Sequence, residues 1–323
     1  MASSSLGLTL YPFDLDTPAL VRLGREAEAR GFDAVFVVEH GVTNDVMAAV
    51  QAIALATSRI AVGPGIANLH LRHPALLGAT AVAVDELSGG RLVLGIGTNN
   101  EAAIRALGLP WKEPRAALRE ATDWLRRVFA GQTPPGVRGS FRAARRPIPI
   151  HFGGVALETA ALAGEIADGL MLYLATPARA RQVVERMTEM ARRAGRAPEQ
   201  VQVTLLVPTF LSDRLEAARA AARPFLARYA GFPLYAKMFR RCGFAAEIDA
   251  LAAAVARGDA SAAAASLSDR MLDEVLLVGP AARCRERLAA YREAGLDYPL
   301  LAPQPVDESP EAAGMRLMAA FAR

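Results

Sequence analysis

The stretch RIAVGPGIANLHLRHPALLGATAVAVDELSGGRLVLGIG, residues 59–97, decides the fold. Two apolar, β-type runs, 59–62 and 91–96, bracket an Ala-rich segment, 73–87. Each run ends in glycines, where a strand leaves the core. The unit reads strand, loop, helix, strand, a crossover that builds parallel sheets. The loop after the first run, 63–72, is polar for its setting, with Asn68, His70 and Arg72 followed at once by His73.

Outward from this unit the same beat continues. Strand-like runs fall at 6–11, 33–38, 60–63, 92–96, 148–152, 169–174, 201–210 and 274–278. Helical segments separate them; the first, 16–30, has Asp16 or Thr17 as its cap, Pro18 in its first turn and Gly31 as its stop. Eight strands alternating with helices predict an α/β chain folded as a (β/α)8 TIM barrel. The other arrangement of such a pattern is an open doubly wound sheet. The strand count and the absence of a composition break favour one closed barrel over residues 1–323. Two connections exceed what a barrel needs. Residues 131–147 are turn-rich, with room for one hairpin, and 214–269 are helical with breaks at Pro224, Gly231 and Pro233. Insertions of that length shape or cover an active-site mouth.

Hydrophobic residues make up 52% and charged ones 22%, which is globular rather than disordered composition. No apolar run reaches membrane-spanning length, and MASSSLGLTLYPFD lacks the basic region of a secretory signal. Cys242 and Cys284 have no metal-like spacing and read as free thiols in a reducing cytoplasm. The formal charge is only +4 despite a pI near 9.4, with basic and acidic residues interspersed. The one dense basic cluster, Arg142, Arg145 and Arg146, reads as a solvated loop. Neither a nucleic-acid nor a membrane partner is expected.

Active sites of such barrels lie at the C-terminal ends of the strands. All four histidines fall there: His40 after the second strand, His70 and His73 after the third, His151 in the last turn of the fifth. His40, beside Glu39, is the best candidate for proton transfer. His73, before Pro74, reads as a helix cap. His70 fits a solvated loop or a pocket wall, and His151 an interior position. No metal site is expected, because HLRH lies in a loop with no third ligand. The GIG at 95–97 lacks the third glycine of a dinucleotide fingerprint. Gly153 and Gly154, ending a strand before a helix, suit either an anion site or a tight turn.

With these residues in view, the chain resembles the bacterial luciferase-like superfamily of flavin- and deazaflavin-dependent oxidoreductases. The resemblance rests on GFDAVFVVEH (31–40), RHPA…DELSGGR…LGIG (72–97) and PIPIHFGG…LAGEIADGLML (147–172). GPGI…N…RHPA is most similar to the coenzyme F420 branch, of the methylenetetrahydromethanopterin reductase type. That resemblance implies a non-proline cis peptide at Gly65–Ile66 backing the deazaflavin ring. It also implies cofactor contacts from Ala67, Asn68, Gly97, Thr98, Asn99, Asn100, Phe152, Gly153 and Gly154, and catalytic roles for His40 and Glu39. Thr9, His70 and His151 are expected in the substrate pocket. Thr9 stands where the methanopterin reductases carry glutamate, which argues against their substrate more than against their coenzyme. The implied activity is hydride transfer between F420 and a small organic substrate, reducing C=C or C=N or running in reverse, in a cytoplasmic homodimer. The alternatives are an FMN-dependent monooxygenase served by a partner reductase and a non-catalytic flavin-binding barrel.

Overall fold

A computed structural model describes residues 5–12, 15–39, 41–42, 44–133 and 136–322. Its strands are β1 (Gly7–Leu10), β2 (Ala34–Val37), β3 (Ala61–Pro64), β4 (Ala67–Asn68), β5 (Leu94–Gly97), β6 (Ile150–Gly153), β7 (Gly169–Tyr173), β8 (Gln202–Leu211), β9 (Leu277–Gly279) and β10 (Tyr298–Pro303). They pair in parallel in the order β3-β2-β1-β10-β8-β7-β6-β5-β4. β3 and β4 are two halves of one bulged stave. Val62 bridges Leu92 and Ala67 pairs with Ile96, so the bulged stave also meets β5 and the wall closes. The architecture is the expected (β/α)8 barrel.

One strand assignment is corrected. The run at 274–278 is not the eighth stave; that place belongs to β10, between β1 and β8. Residues 269–275 are helical, and the short β9 pairs only with Thr209–Leu211 at the far end of β8. The helix Ala281–Glu293 precedes β10, and Pro310–Phe321 closes the ring against Thr17–Ala29. The helix Leu215–Ala230 also runs through Pro224 rather than breaking there. No strand forms in the described part of 131–147, so no hairpin is seen there.

Phe36, Met171, Leu206 and Leu300 fill the barrel interior, and Val37, Leu94, Phe152 and Leu172 face the layer between strands and helices. This alternation follows from the period of two along a strand. The helices of the long insertion have a core of their own, built on Phe210, Leu226, Phe239, Phe244 and Leu272. Polar groups fix the joints. Arg91 donates to the carbonyls of Ala54, Thr57, Ile60 and Ser88, closing the C-terminal end of the helix Val46–Ala56. Glu28 accepts the N–H groups of Ser58, Arg59 and Ile60 and so aims the chain into β3. Burial raises its carboxyl, but the Ile60, Arg59 and Ser58 donors outweigh it and hold the group down at about 2.

Candidate active site

The Gly65–Ile66 peptide bond, between β3 and β4, is cis. The Ile66 side chain lies across the barrel mouth, and glycines make the room for it. A Cβ on Gly97 or on Gly153 would stand 2.8 Å from an Ile66 side-chain carbon, and one on Gly95 3.3 Å. The glycines of GIG and Gly153 therefore act by their lack of a side chain: they make the space that the Ile66 side chain fills at the C-terminal ends of the strands.

A chain of charged contacts lashes this bulge to the end of β2. Glu39, its side chain 1% exposed, accepts the Asn68 N–H at 2.6 Å and pairs with the Arg72 guanidinium. Arg72 reaches on to Asp45 at 3.1 Å, and Asp45 caps the helix Val46–Ala56 through the Met47 and Ala48 N–H groups. Burial raises the Glu39 carboxyl against the opposing pull of the Asn68 N–H and Arg72. His40, the candidate for proton transfer, lies outside the described residues.

The other predicted positions divide. His70 stacks on Trp111 with ring centres 4.7 Å apart, and its Nε2 accepts the Lys112 N–H at 3.2 Å, so the loop after the helix Glu101–Ala106 holds it. His73 caps the helix Pro74–Ser88, its Nδ1 accepting the Ala75 N–H. Asn68 is 1% exposed; its Oδ1 accepts the His70 N–H while its Nδ2 has no partner among the described residues. Thr98 is buried, Asn99 has a left-handed backbone (φ 59°), and Asn100 caps the helix Glu101–Ala106.

Several expectations need correction. Thr9 and His151 do not line an open pocket: both are buried, two residues short of the mouth positions Tyr11 and Gly153 on their strands. Phe152 and Ala67 turn their side chains outward into the helix-facing core, leaving only their backbones for a ligand. The Gly154 N–H is already engaged with the Met171 carbonyl at 3.2 Å, so it is not a free phosphate donor.

His151 carries a stability consequence. Burial, against the pull of Asp168, lowers its imidazole to about 4. Its unfolded value is about 6.5, so its contribution is complete above that pH and is lost as pH falls towards 4. Urea unfolding should show wild type losing about 2 kcal/mol more than His151→Leu between about pH 7.5 and about pH 5. Equal losses would contradict this.

The anion site is better provided by a residue that sequence reasoning missed. The helix Leu157–Ile166, directly after Gly153 and Gly154, has no side-chain cap at its N-terminus. Arg179, 7% exposed, reaches Val155 at the same place, donating to its carbonyl at 2.9 Å. A second donor goes to Gln182 Oε1, and Nε has no partner. Burial lowers the Arg179 pKa despite Cys242 nearby. Among the described residues no carboxylate forms an ion pair with it, Glu158 acting on it only from a distance, and a buried guanidinium without a contacting counter-charge is costly unless an anion completes it. Its signal in the sequence was position alone: it follows the end of β7, as the histidines follow theirs.

A parallel (β/α)8 barrel with a cis bulge at the end of one stave and a buried arginine after another places its candidate site at the C-terminal ends of the strands. The chain belongs to the luciferase-like monooxygenase family, whose profile matches residues 8–298. It is 27% identical over 322 residues to a 5,10-methylenetetrahydromethanopterin reductase of Methanolobus tindarius, covering 96% of this chain and 97% of that one. An F420-dependent glucose-6-phosphate dehydrogenase of Beutenbergia cavernae is 29% identical over 166 residues, 45% of this chain and 49% of that one. The solved coenzyme F420-dependent tetrahydromethanopterin reductase of Methanopyrus kandleri superposes with a TM-score of 0.83 at 23% identity, covering 98% of each chain. Among the described residues no cluster of His, Cys, Asp or Glu could hold a metal, and no helix is long and apolar enough to cross a membrane.

Proposed function

We propose that this chain is a coenzyme F420-dependent oxidoreductase that moves hydride between the deazaflavin and a small organic substrate, reducing a C=C or C=N bond or running in reverse. The observation that carries the cofactor is Arg179, buried, with no ion-pair contact among the described residues, beside an uncapped helix N-terminus. A phosphate-bearing tail completes that corner. Ile66, seated over the glycines, and the Asn68 amide, unpartnered among the described residues, fit the flat ring. Relatives named for F420 favour the deazaflavin over FMN.

Bound in its reduced form, the coenzyme supplies the hydride. The chain's residues do the rest. Gly65 and Ile66 would hold the ring, with Ala67 and Asn68, and Gly97–Asn100 with Phe152 and Gly153 would contribute backbone contacts. The helices of 214–269 pack on Val155, Leu174 and Val306, which follow the strand ends. His40 moves the proton, while the neighbouring Glu39 holds Asn68 and Arg72. A His40→Asn protein that binds F420 and turns over at the wild-type rate would remove that role. Titration of the protein with F420 and FMN in parallel tests the cofactor. Micromolar or tighter F420 binding with weak FMN binding supports the proposal; the reverse preference, or binding of neither, overturns it.

The same reading includes a homodimer. The helix Val46–Ala56 carries no charged residue, and Pro74–Ser88 carries none before Asp85. Leu55 and Leu76 on these neighbouring outer helices are 63% and 64% exposed, whereas the helix Pro114–Phe129 carries four Arg with Glu120 and Asp123. An apolar face of that kind buries itself against a second copy. Ultracentrifugation should give a dimer that Leu55→Glu with Leu76→Glu converts to monomer; a monomeric wild type would refute this.

A further inference from the structure

Two tyrosines share the barrel mouth with the bulge. Leu8 and Leu10 of β1 and Leu170 and Leu172 of β7 face the helices. By alternation Tyr11, next after β1, and Tyr173, ending β7, turn towards the barrel axis. Their hydroxyls meet at 3.0 Å, Tyr11 donating to Tyr173. Tyr173 stands one layer above Met171 on the same face of β7, and Met171 lies beside Ile66. A Cβ on Gly95 would be 3.1 Å from the Met171 sulfur and 3.3 Å from an Ile66 side-chain carbon. Tyr173 and Ile66 both pack on the interior cluster of Phe36, Met171 and Leu206. The tyrosine pair is therefore part of the wall of the candidate site. The long insertion holds Tyr173 from the other side. Tyr229, from the helix Leu215–Ala230, bonds to its hydroxyl and meets its ring edge-on, with centres 5.1 Å apart. Tyr235, from the helix Pro233–Arg241, meets it edge-on at 6.2 Å. Burial raises the Tyr11 and Tyr173 hydroxyls well above their ordinary value, so both stay protonated.

We propose that Tyr173, positioned by Tyr11 and Tyr229, is the hydrogen-bond donor to the substrate, and that the substrate is an α,β-unsaturated carbonyl compound. A hydroxyl has one proton and two acceptor positions. With Tyr11 and Tyr229 donating to its oxygen, Tyr173 keeps its own proton for the ligand. This rests on the oxidoreductase reading and chooses C=C over C=N within it. Hydride added to the far carbon of a C=C–C=O unit moves the π electrons onto the oxygen, and an uncharged donor aimed at that oxygen stabilises the enolate that forms. His40 then gives a proton to the carbon next to the carbonyl. One hydride, from the reduced deazaflavin, and one proton complete the saturated bond. A protonated C=N loses its charge on taking hydride and gains nothing from such a donor.

The probes are para-nitrophenol, whose phenolate copies the enolate oxygen on a flat ring, and para-nitroanisole, which cannot carry that charge. Both are titrated calorimetrically into the protein with and without F420. Wild type should bind the phenolate about tenfold more tightly than the anisole, the scale of one hydrogen bond to a charged group. Tyr173→Phe should abolish the difference and Tyr11→Phe should shrink it, with F420 affinity unchanged in both. Oxidation of reduced F420 by cyclohexenone should fall about a hundredfold in kcat in Tyr173→Phe, as when one donor to an oxyanion is removed. Equal binding of the two probes by wild type, a preference that survives Tyr173→Phe, or no turnover of the enone by protein that binds F420, overturns the proposal. The F420 titration on the same samples keeps the two readings apart. A probe preference that depends on Tyr173 in protein that does not bind F420 would leave the donor standing and sink the cofactor.

Discussion

Replacing Arg179 with methionine should weaken F420 binding about a hundredfold while leaving the protein folded, the usual outcome when one side of a desolvated charge pair is removed. In the free protein the guanidinium is buried with no carboxylate in ion-pair contact among the described residues, Glu158 acting on it only from a distance. Its burial is therefore a cost borne for the ligand, and methionine, apolar and of similar length, removes that cost. The melting temperature should stay level or rise, although the Val155 carbonyl loses a donor. The phosphate-free deazaflavin core provides the control, because its affinity should be the same for both proteins. Equal loss for core and full coenzyme would move the effect from the phosphate to general packing. Unchanged F420 affinity would remove Arg179 from the site.

How far the sequence revealed this depends on which physics each feature obeys. β1 to β3 and β5 to β8 were readable as apolar runs because Gly or Pro bounds most of them, whereas β4 lay in what reads as a loop. β10 was not, since Pro299 and Pro303 in YPLLAP read as strand breakers while EVLLV, at 274–278, offered a cleaner β pattern. Position in the barrel wall, not intrinsic propensity, made the proline-rich segment the stave. The cis bond at Gly65–Ile66 was expected only through family resemblance; nothing in local composition requires it. The outward facing of Phe152 was available from alternation with His151 and Gly153, a period-of-two argument not applied there. Arg179 was beyond sequence reasoning, because its burial and its lack of a partner exist only in the folded chain. The same holds for Glu39. Adjacency to His40 suggested a tuning carboxylate, whereas the fold turns the side chain towards Asn68 and Arg72.

That distinction gives the second large effect. Glu39→Gln should destabilise the protein by about 3 kcal/mol, the low end for breaking a buried pair. The mutant leaves Arg72, whose side chain is 14% exposed, with only the largely exposed Asp45 for a partner. For a chain of this length the melting temperature should fall by about 4 °C. Adding Arg72→Met should recover part of the loss, since it removes the orphaned cation; the double mutant would then be less damaged than the sum of the singles. A tuning role predicts something else: unchanged unfolding and a displaced pH profile of turnover. Because the clamp also holds the Asn68 N–H, and with it β4, Glu39→Gln should weaken F420 binding together with stability. Loss of both together would identify Glu39 as the residue that positions the bulge.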